Sequence, residues 1–255
     1  MAGDRRDVHH DWTRTDANVK LVLFDIDGTI LLTAGAGKRA IHRALIEVFG
    51  ATGPEDHRFD GKTDPQIVRE LMTIVGHEDE HIDSRMAELL ARYVGYLDEE
   101  LKAKPDGIRI MPGIHELLDA LDVREDVTLG LLTGNLVDGA RAKLNAAGID
   151  PERFAVGAYG SDHERRRELP AVALARARRD LGLDLEGRDV VVIGDTPADI
   201  DCGRDIGARA IGVATGHYTV EDLASHQPAA VFQDLSSTSE VVDAIVAYSD
   251  MDMPR

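Results

Sequence analysis

The residues with the clearest chemical potential are Asp25 and Asp27, in the run Leu21-Val22-Leu23-Phe24-Asp25-Ile26-Asp27-Gly28-Thr29. Four apolar residues lead straight into two carboxylates separated by one residue. Side chains two apart on an extended segment face the same way, so both carboxylates can converge on one ligand. A charge at the mouth of a core strand is costly to build for stability alone, and it usually marks metal binding or catalysis. A second acidic group follows another apolar run, in Gly194-Asp195-Thr196-Pro197-Ala198-Asp199. A third apolar run ends in Thr133-Gly134-Asn135. Gathering Asp25, Asp27, Asp195 and Asp199 in one place would set like charges against one another, and a divalent cation resolves that conflict. Oxygen ligands with few histidines nearby favour Mg²⁺ over zinc. Asp199 has a second reading, as a cap for the helix that follows it.

Carboxylates beside Mg²⁺ suit phosphoryl transfer. One can attack phosphorus and form an aspartyl-phosphate. Another, two residues on, can protonate the leaving oxygen and then activate water. The transferred group needs donors for its equatorial oxygens. The Thr133 hydroxyl and the neighbouring backbone N–H groups of Gly134 and Asn135 can supply them. The strongest basic cluster is Arg165-Arg166-Arg167. Such a run is usually a solvated face, but its place between two strands lets one arginine turn inward.

These tips need strands behind them. Apolar segments at 21–24, 127–132, 154–159, 189–193, 208–214 and 230–232 read as strands, and helical patterns at 137–147 and 170–181 lie between them. The alternation implies an α/β fold with a doubly wound parallel sheet covered on both faces. Asp25, Thr133 and Asp195 each stand at the carboxyl end of a strand, the edge where such sheets bind ligands. Residues 36–105 read instead as a helical insert. Ile41, Leu45, Ile46 and Phe49 recur at helical spacing, Asp64-Pro65 opens a second helix with Asp64 as N-cap, and a third helix spans 82–101. Breakers at 34–37 and 106–113 read as hinges. The expected organisation is a flexible leader at 1–19, a core of 20–35 with 106–255, and the insert between.

Composition narrows the function classes. The 255 residues are 43% hydrophobic, enough for a sizeable core. Aromatics at 4% and a net charge of −18 argue against a nucleic-acid partner, which needs stacking surfaces and positive charge. No apolar run approaches the roughly 20 residues of a membrane span. The single cysteine, Cys202, forbids an internal disulfide and suits a reducing, cytoplasmic setting. It reads as a small packed residue, and His9, His10 and His57 read as solvent-exposed.

With these motifs in hand, the chain resembles the haloacid dehalogenase superfamily of phosphohydrolases, from about residue 21 to 235. Asp25 to Thr29 matches the family's first motif, which implies Asp25 as nucleophile and Asp27 as acid/base, lending its backbone carbonyl to Mg²⁺. Residues 131–135 resemble the second motif. Gly194 to Asp199 resembles the fourth, which implies Asp195 as a direct metal ligand and Asp199 as a ligand through water or a support. The third motif is normally a lysine, and no lysine follows Lys143. Arg166, or Arg167 as the alternative, takes that place, and an arginine can hold nucleophile and phosphate together. The insert resembles the family's helical cap of the first type. Within it, residues 59–64 resemble the loop that reaches toward substrate, where Lys62 meets a second anionic group or is simply a solvated turn lysine. The resemblance implies a Mg²⁺-dependent phosphatase of a small phosphorylated metabolite, phosphoglycolate phosphatase-like. A phosphomutase of the β-phosphoglucomutase type and a non-catalytic binding protein are the alternatives. Asp27 speaks against a dehalogenase, which usually lacks the second aspartate.

Overall fold

The computed structural model describes residues 19–247. The expected leader thus falls outside the described residues except for Val19, which is buried against the core and does not belong to a flexible segment. The fold is built outward from β1 (Lys20–Phe24), whose five residues are all buried. It pairs in parallel with β4 (Val127–Thr133) on one side and β6 (Val190–Gly194) on the other. With β5 (Val156–Tyr159), β7 (Arg209–Val213) and β8 (Ala230–Phe232), the sheet order is β5-β4-β1-β6-β7-β8, all parallel.

Strand periodicity sends alternate β1 side chains to opposite faces. Val22 and Phe24 pack with Leu117 and Leu118 of α4 (Ile114–Asp122), with Ala140 and Leu144 of α5 (Val137–Ala146), and with Val241 and Ile245 of α9 (Thr238–Val246). Leu21 and Leu23 pack with Leu169, Ala173 and Ala177 of α6 (Leu169–Leu181). Burial on both faces explains why these strands read as continuous apolar runs rather than alternating ones. The shorter α7 (Pro197–Cys202) and α8 (Val220–Ala224) complete the crossovers. The chain runs from β1 through β4 to β5, then returns to β1's other side at β6. The β1–β6 boundary is therefore the switch point of the sheet, where strand ends splay to leave a crevice.

The helical insert leaves and re-enters through a small antiparallel ribbon, β2 (Leu31–Leu32) with β3 (Arg109–Ile110). Between them lie α1 (Ala36–Phe49), α2 (Asp64–Ile74) and α3 (Asp79–Ala103). They share a separate apolar cluster of Ile41, Leu45, Val68, Leu71, Leu89, Tyr93 and Leu97. Two expectations need correction. Ile46 is 58% exposed, off the buried face of α1. The N-cap of α2 is Thr63, whose hydroxyl accepts the Gln66 N–H, so Asp64 stands one residue inside the helix. A capping carboxylate would be tied to its own helix, and Thr63 leaves Asp64 free for another partner. Among the described residues, no helix is long and apolar enough to cross a membrane.

Candidate active site

Asp25 directly follows β1, and its N–H donates to the Ile193 carbonyl (2.9 Å), extending the pairing with β6. Its side chain is buried and meets Arg166 Nη2 at 2.9 Å. Arg166 is also buried, at 6% exposure; the same nitrogen pairs with Asp199 Oδ1 and donates to the Leu132 carbonyl (3.2 Å). Arg166 sits in a single 3₁₀ turn (Arg166–Glu168) just before α6, which aims it under the sheet edge. Arg167 faces solvent and pairs with Asp205, and Arg165 is exposed. Of the three arginines, only Arg166 reaches the aspartates.

Carboxylate oxygens of Asp25, Asp195 and Asp199 lie within 4.8 Å of one another, all three residues buried. Burial pushes the Asp25 carboxyl up to about 6; Arg166 pulls it down and Asp199 pushes it further up. Burial, then the charges of Asp199 and Asp25, push Asp195 well above the usual carboxylate range, while Thr29 Oγ1 donates to it (3.2 Å). Asp199 fulfils its capping reading. Its Oδ2 accepts the Thr196 N–H (3.0 Å) and hydroxyl (2.6 Å), capping α7, while Oδ1 faces Arg166. Three clustered carboxylates share one guanidinium, and a hard divalent cation fits the remaining negative charge. Two glycines make room for the Asp195 carboxylate: a Cβ at Gly28 would stand 2.3 Å from Asp195 Oδ2, and one at Gly216 would stand 1.8 Å from it.

Asp27 holds different partners. Its side chain is 40% exposed, and Oδ2 accepts from Asn135 Nδ2 (2.7 Å) and Lys143 Nζ (2.6 Å). Its carboxylate is therefore not part of the acidic cluster, and the expectation of two aspartates converging on one ion gives way to a split. The Thr133 hydroxyl, fully buried, accepts from Asn135 Nδ2 (2.8 Å), which orders the loop after β4.

Asp25, Asp27, Thr133, Asn135, Lys143, Arg166 and Asp195 line one cavity of about 870 Å³, whose walls also include the insert residues Lys38, Arg58, Phe59 and Ile67. The insert is docked on the core. Asp64 N–H donates to the Gly134 carbonyl (2.8 Å), Asp64 Oδ2 accepts the Leu136 N–H (2.9 Å), and His217 Nδ1 meets Asp60 Oδ1 (2.9 Å).

The sequence profile of the haloacid dehalogenase-like hydrolases matches residues 19–207. The chain belongs to that family. Among its relatives is a probable phosphatase, IndB, of Dickeya dadantii, 28% identical over 90% of this chain and 96% of the relative. A hydrolase from Pseudomonas syringae shares the fold with a TM-score of 0.67 at 22% identity, covering 89% of this chain and all of that one. The β-phosphoglucomutase of Clostridium difficile superposes with a TM-score of 0.66 at 21% identity, covering 89% of this chain and 97% of that one.

Three residues of this hydrolase behave otherwise than their sequence context suggests. Lys62 lines the cavity, but its Nζ is held by Glu70 (2.5 Å) and lies 3.2 Å from His57, so it is not a solvated turn lysine. His57 is not solvent-exposed: its side chain is 14% accessible and meets Glu70 at 2.9 Å. Lys143 has no role in the motif reading, yet it is 4% exposed and bound to Asp27. A signal for it exists. Gly139, Ala140, Lys143 and Leu144 form the buried stripe of α5, and a lysine in such a stripe needs a partner. Cys202 is the packed residue expected, its thiol pushed up to about 12 by burial.

Proposed function

We propose that this phosphoric monoester hydrolase is a Mg²⁺-dependent phosphatase of a small phosphorylated metabolite, acting through an aspartyl-phosphate on Asp25. One observation carries the reading: a buried Asp25, gripped by Arg166 and flanked by Asp195 and Asp199, shares a cavity with a second carboxylate held in a separate network. In the first step an Asp25 oxygen attacks phosphorus, the bond to the leaving oxygen breaks, and Asp27 gives that oxygen its proton. In the second, Asp27 takes a proton from water, the water oxygen bonds to phosphorus, and Asp25 is released with inorganic phosphate. Thr133 and the N–H groups of Gly134 and Asn135 hold the equatorial oxygens, and Arg166 offsets the charge shared by nucleophile and phosphate.

Asp25, Asp195 and the Asp27 backbone carbonyl would hold Mg²⁺, with Asp199 in support, and the ion would supply charge neutralisation between nucleophile and phosphate. Residues 36–105 act as a cap that excludes water and selects the substrate. Phosphoglycolate phosphatase-like is the nearest description, with the leaving group lying against Lys38, Arg58 and Phe59. A panel of phosphorylated metabolites tests the reading. The expected outcome is release of inorganic phosphate from one of them, abolished by EDTA and restored by Mg²⁺. Metal-independent hydrolysis, an isomerised sugar phosphate in place of free phosphate, or inertness toward the whole panel contradicts it.

A further inference from the structure

We propose that Lys143 is a positioning residue for proton transfer, fixing Asp27 so that one carboxylate oxygen alone exchanges the proton with leaving group and water. This rests on the phosphatase reading above. Lys143 comes from α5, outside every motif that carries the family resemblance, and its side chain is 4% exposed. A buried ammonium must spend its donors on fixed partners. Two are plain: Asp27 Oδ2 and Asn135 Oδ1, both at 2.6 Å. Asn135 closes the ring, since its Nδ2 donates to the same Asp27 Oδ2 (2.7 Å) and to Thr133 Oγ1 (2.8 Å).

The consequence is an asymmetric carboxylate. Oδ2 accepts from two nitrogens, and among the described residues Oδ1 accepts from none. Oδ1 is therefore the oxygen left to give and take the proton. When it passes to the leaving oxygen, the Oδ1–H bond breaks and the new O–H bond forms, while Lys143 keeps all its protons and stabilises the carboxylate left behind. In the second step the proton returns to Oδ1 from water. Lys143 also borders the insert. A Cβ at Gly37 of α1 would stand 3.6 Å from its Nζ and 3.7 Å from the Tyr93 hydroxyl of α3, and that hydroxyl faces Asp64 Oδ1 at 3.4 Å. The docked insert thus walls the ammonium into the position that holds Asp27.

Lys143→Met tests this with two substrates that differ in leaving group. A simple alkyl phosphate needs a proton on its departing oxygen; acetyl phosphate, which expels acetate, does not. The expected result is a fall in kcat/KM of about 100-fold for the alkyl phosphate and of less than about 3-fold for acetyl phosphate, whose first step needs no acid. For acetyl phosphate, kcat and KM should fall together, because Asp27 still serves as base in the second step and the aspartyl-phosphate accumulates. The contrast between substrates is independent of how much of the variant folds. Equal losses of kcat/KM for both substrates, or none, overturn the role of Lys143. A wild-type protein inert toward both of these and toward the whole metabolite panel overturns the phosphatase reading beneath it.

Discussion

Asp25 sits in opposing fields. Burial and Asp199 push its carboxyl up, toward about 6, and Arg166 pulls it down. To act as the proposed nucleophile Asp25 must be ionised, so in that reading Arg166 and the proposed cation keep it so near neutral pH. Two substitutions separate these parts. Asp25→Asn should cut turnover by more than about a thousandfold while circular dichroism and the melting profile persist, since an amide removes the attacking oxygen's charge and preserves its shape. Arg166→Met should also lower the unfolding free energy by about 3–5 kcal/mol in a denaturant titration, because it strands two buried carboxylates. Asp25, Asp27 and Asp195 were legible because strand ends and acidic spacing mark them along the chain, whereas the arginine run was legible only as a cluster, with Arg166 and Arg167 as alternatives. Lys143, Thr29 and Gly216 were not, since what gives them meaning is contact across long stretches of sequence: Lys143 meets Asp27 116 residues away, and Thr29 meets Asp195 166 residues away.

Helix α2 delivers Asp64 to the core, and the capping chemistry explains how. With Thr63 as N-cap, the Asp64 carboxylate crosses to the Leu136 N–H at the start of α5. Burial pushes Asp64 up to about 6 from an ordinary 3.8, although Lys143 and the Leu136 N–H pull against it. A folded-state value above the unfolded one means that this contribution to stability is complete below about pH 4 and is lost as pH rises through 6. At about 1.4 kcal/mol per unit the loss approaches 3 kcal/mol at neutral pH. Asp64→Asn keeps an acceptor for Leu136 and has nothing to ionise. Its stability relative to wild type should therefore improve by about 2–3 kcal/mol between pH 4 and pH 7.5, followed by urea midpoints; a difference that does not vary with pH contradicts the account. The main strands were legible as buried apolar runs. The ribbon β2–β3 was not, because two residues per strand carry no periodicity. Helix α4 does show spacing at Ile114, Leu117, Leu118 and Leu121, but with no chemistry at its ends, attention to strand tips passes over it.

The whole molecule joins a parallel sheet, whose switch point concentrates negative charge, to a helical insert that covers it. Breakers at 34–37 and 106–113 gave the expectation of an insert at 36–105, and α1, α2 and α3 lie inside that stretch, while its docking through Asp60, Asp64 and Thr63 depends on loops that have no pattern of their own. With the proposed Mg²⁺ in the acidic cluster, global stability should depend on the ion. Mg²⁺ at about 100 times its dissociation constant should stabilise the fold by about 2.7 kcal/mol, read as a rise in melting temperature over the EDTA-treated protein at pH 7.5. An Asp195→Asn variant should lose most of that rise; an equal rise in both proteins would place the ion elsewhere. In the proposed mechanism an Asp25 oxygen is the atom that receives the phosphoryl group. Rapid acid quench of a single turnover, followed by peptide mass spectrometry, should find one phosphoryl group on Asp25 in the wild-type protein and none in Asp25→Asn. Steady release of phosphate with Asp25 never phosphorylated contradicts it.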